Sequence, residues 1–154
     1  MRLVRNLLLF ALMLLAGISL AAPRGGLRVE RAWARATPPM ATVAAAYLVV
    51  INDSGTPDRL LRIDSAIAQS VEMHQSYNEG GMMRMRPIEG GAVVPAHGQL
   101  SFAPGGNHLM LIGPAHPLVA GETFEATLVF ERAGPRKVRF EVRGMDGDAP
   151  MHMH

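Results

Sequence analysis

The chain is 154 residues long, with 15 lysines and arginines against 13 acids, 11 methionines, six histidines and no cysteine. A length of this order bounds one ordinary domain, and the missing thiols exclude both a disulfide framework and a thiolate-ligated blue-copper electron carrier. Arg2 and Arg5 account for the whole basic excess, leaving 13 positive against 13 negative charges in residues 22–154, so nothing in the charge favours nucleic acid or an anionic membrane as partner.

Arg2 and Arg5 precede an apolar run from Leu7 to Ala16 and the small-residue stretch Ser19-Leu20-Ala21-Ala22, the pattern of a secretory signal peptide cleaved after Ala21. The run is shorter than the roughly 20 residues of a membrane span. Residues 1–21 are therefore read as a leader, and the mature chain 22–154 as a periplasmic monomer with no membrane span.

Leu27 to Arg35 begins by alternating apolar and charged residues, a strand pattern closed by Thr37-Pro38-Pro39. Val43 to Ile51 is small, apolar and β-branched, a buried strand ended by the turn Asn52-Asp53-Ser54-Gly55. Further strands are expected at Arg59–Ile63, Ser70–Tyr77, Met82–Ile88, Gln99–Phe102, His108–Ile112, Thr123–Glu131 and Lys137–Arg143. Turns rich in Gly, Pro, Asn and Asp separate them, among them Asn78-Glu79-Gly80-Gly81, Glu89-Gly90-Gly91, Pro104-Gly105-Gly106-Asn107 and Ala133-Gly134-Pro135. Many short strands with this punctuation predict an all-β antiparallel sandwich or barrel over residues 22–143, followed by a loose tail, 144–154.

Successive residues of a strand face opposite sides of a sheet, so parity sorts the chemically active side chains. Val71 and Met73 share one face and leave His74, with Glu72, on the other. Leu109 and Leu111 claim a buried face, which puts His108 and Met110 together on the opposite one, although Ile112 shares their parity. Met83 and Met85 share a face, Arg84 and Arg86 the other, and parity does not say which is buried. Two imidazoles and two thioethers at 74, 85, 108 and 110 would form a soft, neutral donor set, suited to Cu(I) rather than to Zn, Ca or Mg. Thioethers need no deprotonation and cannot be lost to disulfides in an oxidising compartment.

The spacing His-x10-Met followed by His-x-Met is carried by Val71-Glu72-Met73-His74, Met83-Arg84-Met85-Arg86-Pro87 and Gly105-Gly106-Asn107-His108-Leu109-Met110-Leu111. Together with Phe130-Glu131-Arg132-Ala133-Gly134, Ala32-Trp33-Ala34-Arg35-Ala36-Thr37-Pro38-Pro39 and Ala45-Ala46-Tyr47-Leu48, it closely resembles the periplasmic copper chaperone family PCuAC. The resemblance runs from about residue 27 to 143. It implies a cupredoxin-like Greek-key β-sandwich or barrel, and an exposed Cu(I) site with His74, Met85, His108 and Met110 as ligands. It also implies delivery of copper to a cytochrome c oxidase subunit or another exported copper chaperone. The sequence carries no nucleophile elbow, no HExxH helix and no convincing acid–base constellation, so no enzymatic turnover is expected. The spacing between Met85 and His108 is one residue longer than the family's usual one, which places an insertion in the loop region Glu89 to Gly98. Copper buffering for resistance is the alternative reading.

The tail ends Met151-His152-Met153-His154, a candidate second copper site whose imidazoles would suit Cu(II). Met83 is a candidate auxiliary ligand, Met82 is read as loop or core, and Met40 as a loop residue near the site or a cover for apolar surface. His97 and His116 fall in turns as solvated imidazoles, and Trp33 and Tyr47 are read as packing residues. Glu72, the sole carboxylate close to the motif, is either solvated or an outer-shell partner of His74.

Overall fold

The computed structural model describes residues 26–146. Ten strands form one sheet: β1 (Leu27–Arg35), β2 (Val43–Asn52), β3 (Asp58–Asp64), β4 (Ala68–Glu79), β5 (Met82–Pro87), β6 (Ala92–Val94), β7 (Gly98–Phe102), β8 (Asn107–Pro114), β9 (Thr123–Phe130) and β10 (Gly134–Arg143). Seven of them close a barrel in the order β4-β8-β2-β1-β10-β9-β3, with the ring shut where Ile63 of β3 pairs Val71 of β4. β2 is long enough to serve two partners on one edge, β8 along Val43–Ala46 and β7 along Leu48–Asn52. β6 adds to β3, and β5 hangs from β4 as the free arm of a hairpin.

Alternation builds the interior. Ala44, Ala46, Leu48 and Val50 of β2, Leu109 and Leu111 of β8, Leu128 and Phe130 of β9, and Phe140 and Val142 of β10 all point inward and are buried. Phe124 stacks on Phe140 with ring centres 5.1 Å apart. The small side chains of β2 and the phenylalanines of the other strands together fill the interior. Asp58, buried at the start of β3, accepts hydrogen bonds from the backbone N–H groups of Arg59 (2.7 Å), Arg132 (2.9 Å) and Ala133 (2.9 Å) and so ties the β9–β10 turn to the barrel.

The all-β expectation holds, with three differences of detail. β1 and β10 run parallel, Trp33 against Glu141 and Arg35 against Arg143, whereas every other pairing is antiparallel. β6 was expected to be loop: its three residues carry too little pattern to read, yet Ala92 and Val94 are buried because β3 pairs with them. β10 starts at Gly134 rather than Lys137, since Gly134, at φ +71°, turns the chain straight back onto Phe130. Residues 1–21 and Met151–His154 lie outside the described residues.

Candidate metal centre

Strand register gathers the candidate ligands. Directly opposed residues of an antiparallel pair share a face. β4 opposes β8 with His74 against His108 and Glu72 against Met110. Along its other edge β4 opposes β5 with Ser76 against Met85 and Asn78 against Met83. His74, Met85, His108 and Met110 thus lie on one face. That face is the outside of the barrel, because the alternating residues Met73, Leu109 and Leu111 are the buried ones. Met85 and Met110 are diagonal neighbours of His74 across its two edges, a separation of about 7–8 Å that long side chains span.

The two imidazoles are close enough to share an ion. Their ring centres are 5.7 Å apart with the planes inclined by 35°. With metal–nitrogen bonds of about 2.1 Å, and each nitrogen roughly 1 Å from its ring centre, two imidazoles on one ion have centres within about 6.5 Å. His74 Nε2 lies 2.8 Å from Glu72 Oε2, while its Nδ1 is buried and meets no hydrogen-bond partner among the described residues. His108 is buried to 9% exposure, and its Nδ1 lies 3.3 Å from the Gly106 carbonyl oxygen, which also accepts the Ser76 N–H. An imidazole nitrogen enclosed without a partner is uncommon in folded proteins, and a bound cation is one of the few things that would satisfy it.

Among the described residues no three His, Asp or Glu side chains converge to hold a metal, and the thioethers of Met85 and Met110 share the face of the two imidazoles. The cationic side chains of β5 are kept off this face. Arg84 and Arg86 occupy the other side of β5, Arg84 paired with Glu79, and Arg86 bound to Gln75 Oε1 at 3.1 Å and lying 5.1 Å over the Tyr77 ring. On β4, β5 and β8 the only charged side chain on this face beside the imidazoles is the carboxylate of Glu72.

Accessibility is graded across the site. His108 is enclosed, His74 and Met110 are partly covered, and Met85 is 59% exposed on a strand whose two faces both meet solvent. The hairpin that carries Met85 turns through Gly80 and Gly81 at φ +61° and +84°, with Asn78 Oδ1 accepting the Gly81 N–H at 3.0 Å. Positive φ at both central positions is what a two-residue hairpin loop needs, so this pair of glycines sets the register of β5.

The remaining candidates separate cleanly. Met83 shares the face of Met85, two residues nearer the hairpin tip. Met82 is neither loop nor core: it lies on β5 and is exposed on the opposite face, because its pairing with Glu79 gives it the other parity. Met40, at φ +66° and 93% exposed, covers no apolar surface. His97 and His116 are exposed in turns as expected. Trp33 and Tyr47 pack with ring centres 4.6 Å apart and planes inclined by 38°, and Arg143 lies over the indole. The segment Glu89 to Gly98 holds β6 and is not simply loop, which confines a tolerated extra residue to the turns on either side of that strand. The carbonyl of Gly106 is a site feature that side-chain reasoning missed. Its signal was the Gly-Gly pair just before His108.

Residues 27–142 match the LpqE-like family, described as candidate lipoproteins. A candidate lipoprotein of Leifsonia xyli subsp. xyli is 30% identical over 122 residues, covering 79% of this chain and 72% of its own. Among solved structures, a copper-bound PCuAC domain from PmoF2 is 30% identical with a TM-score of 0.65, over 78% of this chain and 94% of that one. The Cu(I) form of DR1885 from Deinococcus radiodurans is 30% identical with a TM-score of 0.62, over 81% of each chain. The cupredoxin-like barrel expected above is the fold shared with these domains.

Proposed function

The chain belongs to the LpqE-like family, that of the PCuAC domains, and from that premise we propose that it is an exported, non-enzymatic copper chaperone. Its cargo is Cu(I), held by His74, Met85, His108 and Met110. The observation that carries this reading is the enclosed, unpartnered Nδ1 of His74, set within a ring pair of the right separation and flanked by thioethers.

The chemistry suits a carrier. Four neutral donors take up Cu(I) without releasing protons, and soft sulfur ligands favour the reduced ion. Burial at His108 and exposure at Met85 give the site a closed and an open side. An acceptor's ligand would displace the thioether of Met85 first, then reach the imidazoles, so that copper passes without becoming free. The neutral charge balance of residues 22–154 argues against nucleic acid as a partner. A cytochrome c oxidase copper subunit, or a second exported copper chaperone, is the acceptor we assign, and Met151-His152-Met153-His154 is proposed as a site for Cu(II). Export to the periplasm follows from the leader pattern of residues 1–21 and from kinship with lipoprotein-class proteins.

Copper transfer tests the proposal. The mature chain loaded with Cu(I) should pass its metal to an oxidase copper-site domain at equilibrium, and retention by the chain in the presence of excess acceptor would refute delivery. In cells lacking the protein, oxidase activity should fall and recover on added copper. Copper sensitivity with normal oxidase would instead assign it to buffering.

A further inference from the structure

The two histidines of the site differ in which nitrogen is already engaged. Glu72 lies two residues before His74 on the same face of β4, and its Oε2 sits 2.8 Å from Nε2. A carboxylate only accepts when ionised, so the hydrogen of this contact belongs to Nε2. The alternative tautomer is penalised twice. It would turn the Nε2 lone pair toward a carboxylate oxygen, and it would leave a buried Nδ1–H with no acceptor. His108 has the reverse arrangement. Its Nδ1 faces the Gly106 carbonyl, which can only accept, so Nδ1 carries the hydrogen and Nε2 holds the lone pair.

We infer that Glu72 is a positioning residue that makes His74 an Nδ1 donor to copper, while the Gly106 carbonyl makes its cross-strand partner His108 an Nε2 donor. The inference rests on the copper site proposed above. Nδ1 is next to the ring carbon that joins the side chain and Nε2 is at the far end, so the ion lies closer to the backbone of β4 than to that of β8. Such a placement brings it toward the edge shared with β5, the side on which Met85 is open to solvent. Orientation of a ligating imidazole by a carboxylate on its second nitrogen also raises its donor strength. As a carboxylate 2.8 Å from His74, Glu72 additionally offsets the positive charge that Cu(I) brings.

The test is nitrogen-15 NMR of the histidine rings in the mature chain, with Cu(I) titration of Glu72→Leu and Glu72→Gln beside the wild type. In the metal-free wild type, His74 should show a protonated Nε2 and a bare Nδ1, and Cu(I) should shift Nδ1 of His74 and Nε2 of His108. Glu72→Leu should mix the two tautomers of His74 and weaken Cu(I) binding by about 10- to 100-fold. Glu72→Gln, whose amide oxygen can still accept from Nε2, should keep the tautomer and recover most of the affinity. Copper perturbing Nε2 of His74, or a wild-type tautomer in Glu72→Leu, would overturn the inference. His108→Ala separates it from the site itself. Undiminished Cu(I) binding in that variant removes the proposed site, whereas the tautomer of metal-free His74 still decides what Glu72 does.

Discussion

Replacing Met85 by leucine isolates one thioether with little other consequence. The side chain is 59% exposed on a strand that buries nothing on either face, and leucine has nearly the same volume. Stability should therefore move by no more than about 0.5 kcal/mol, the usual range for surface substitutions away from special features. For a domain of this size that is a shift of about 2 °C or less in Tm. Copper binding should respond much more. Loss of an outer-shell partner alone commonly costs 10- to 100-fold in metal affinity, so loss of a direct ligand should reach the upper end, about 100-fold or roughly 2.8 kcal/mol. The assay is anaerobic competition for Cu(I) against a coloured chelator. Met82→Leu is the control: it changes the same residue type on the same strand at 62% exposure, but on the opposite face. Equal losses in Met82→Leu and Met85→Leu, or no loss in either, would refute the argument from register.

Inserting one glycine after Gly81 should shift β5 by one residue against β4 and exchange Met85 for Arg84 or Arg86 on the site face. Cu(I) affinity should then fall at least as far as in Met85→Leu while the circular dichroism of the barrel stays unchanged. Asp58→Ala would leave the N–H groups of Arg59, Arg132 and Ala133 without their part-buried acceptor, and should cost about 2–4 kcal/mol in urea unfolding with Cu(I) affinity unaltered. Truncation after Arg143 should remove one equivalent of bound copper and leave the tightest one in place, as read by metal analysis after dialysis.

Much of the site was readable from local pattern. Leu109 and Leu111 alternate with His108 and Met110, and because the period of a strand is fixed at two, burying one pair necessarily sends the other outward. The same reasoning placed His74 opposite Met73, and the turn residues Asn52 to Gly55 and Gly80-Gly81 marked the strand ends through their backbone preferences. What local pattern could not supply was the relation between strands. The face taken by Met85 follows from its pairing with Ser76, which depends on the hairpin register and not on the alternation of Met83-Arg84-Met85-Arg86, where both faces are exposed. The contact of His74 with Glu72, two residues away on β4, follows from alternation along that one strand, whereas the enclosure of His108 and of the unpartnered His74 Nδ1 depends on how β4 lies against β8. β6 and the parallel β1–β10 pair were likewise invisible, since a three-residue strand and a pairing across a hundred residues are fixed by contacts distant in sequence. Amino-acid order alone thus determined which side chains could bind a soft metal and which way most of them faced. Tertiary pairing decided that they share one face, because β4 lies between β5 and β8, and how far each of them is enclosed.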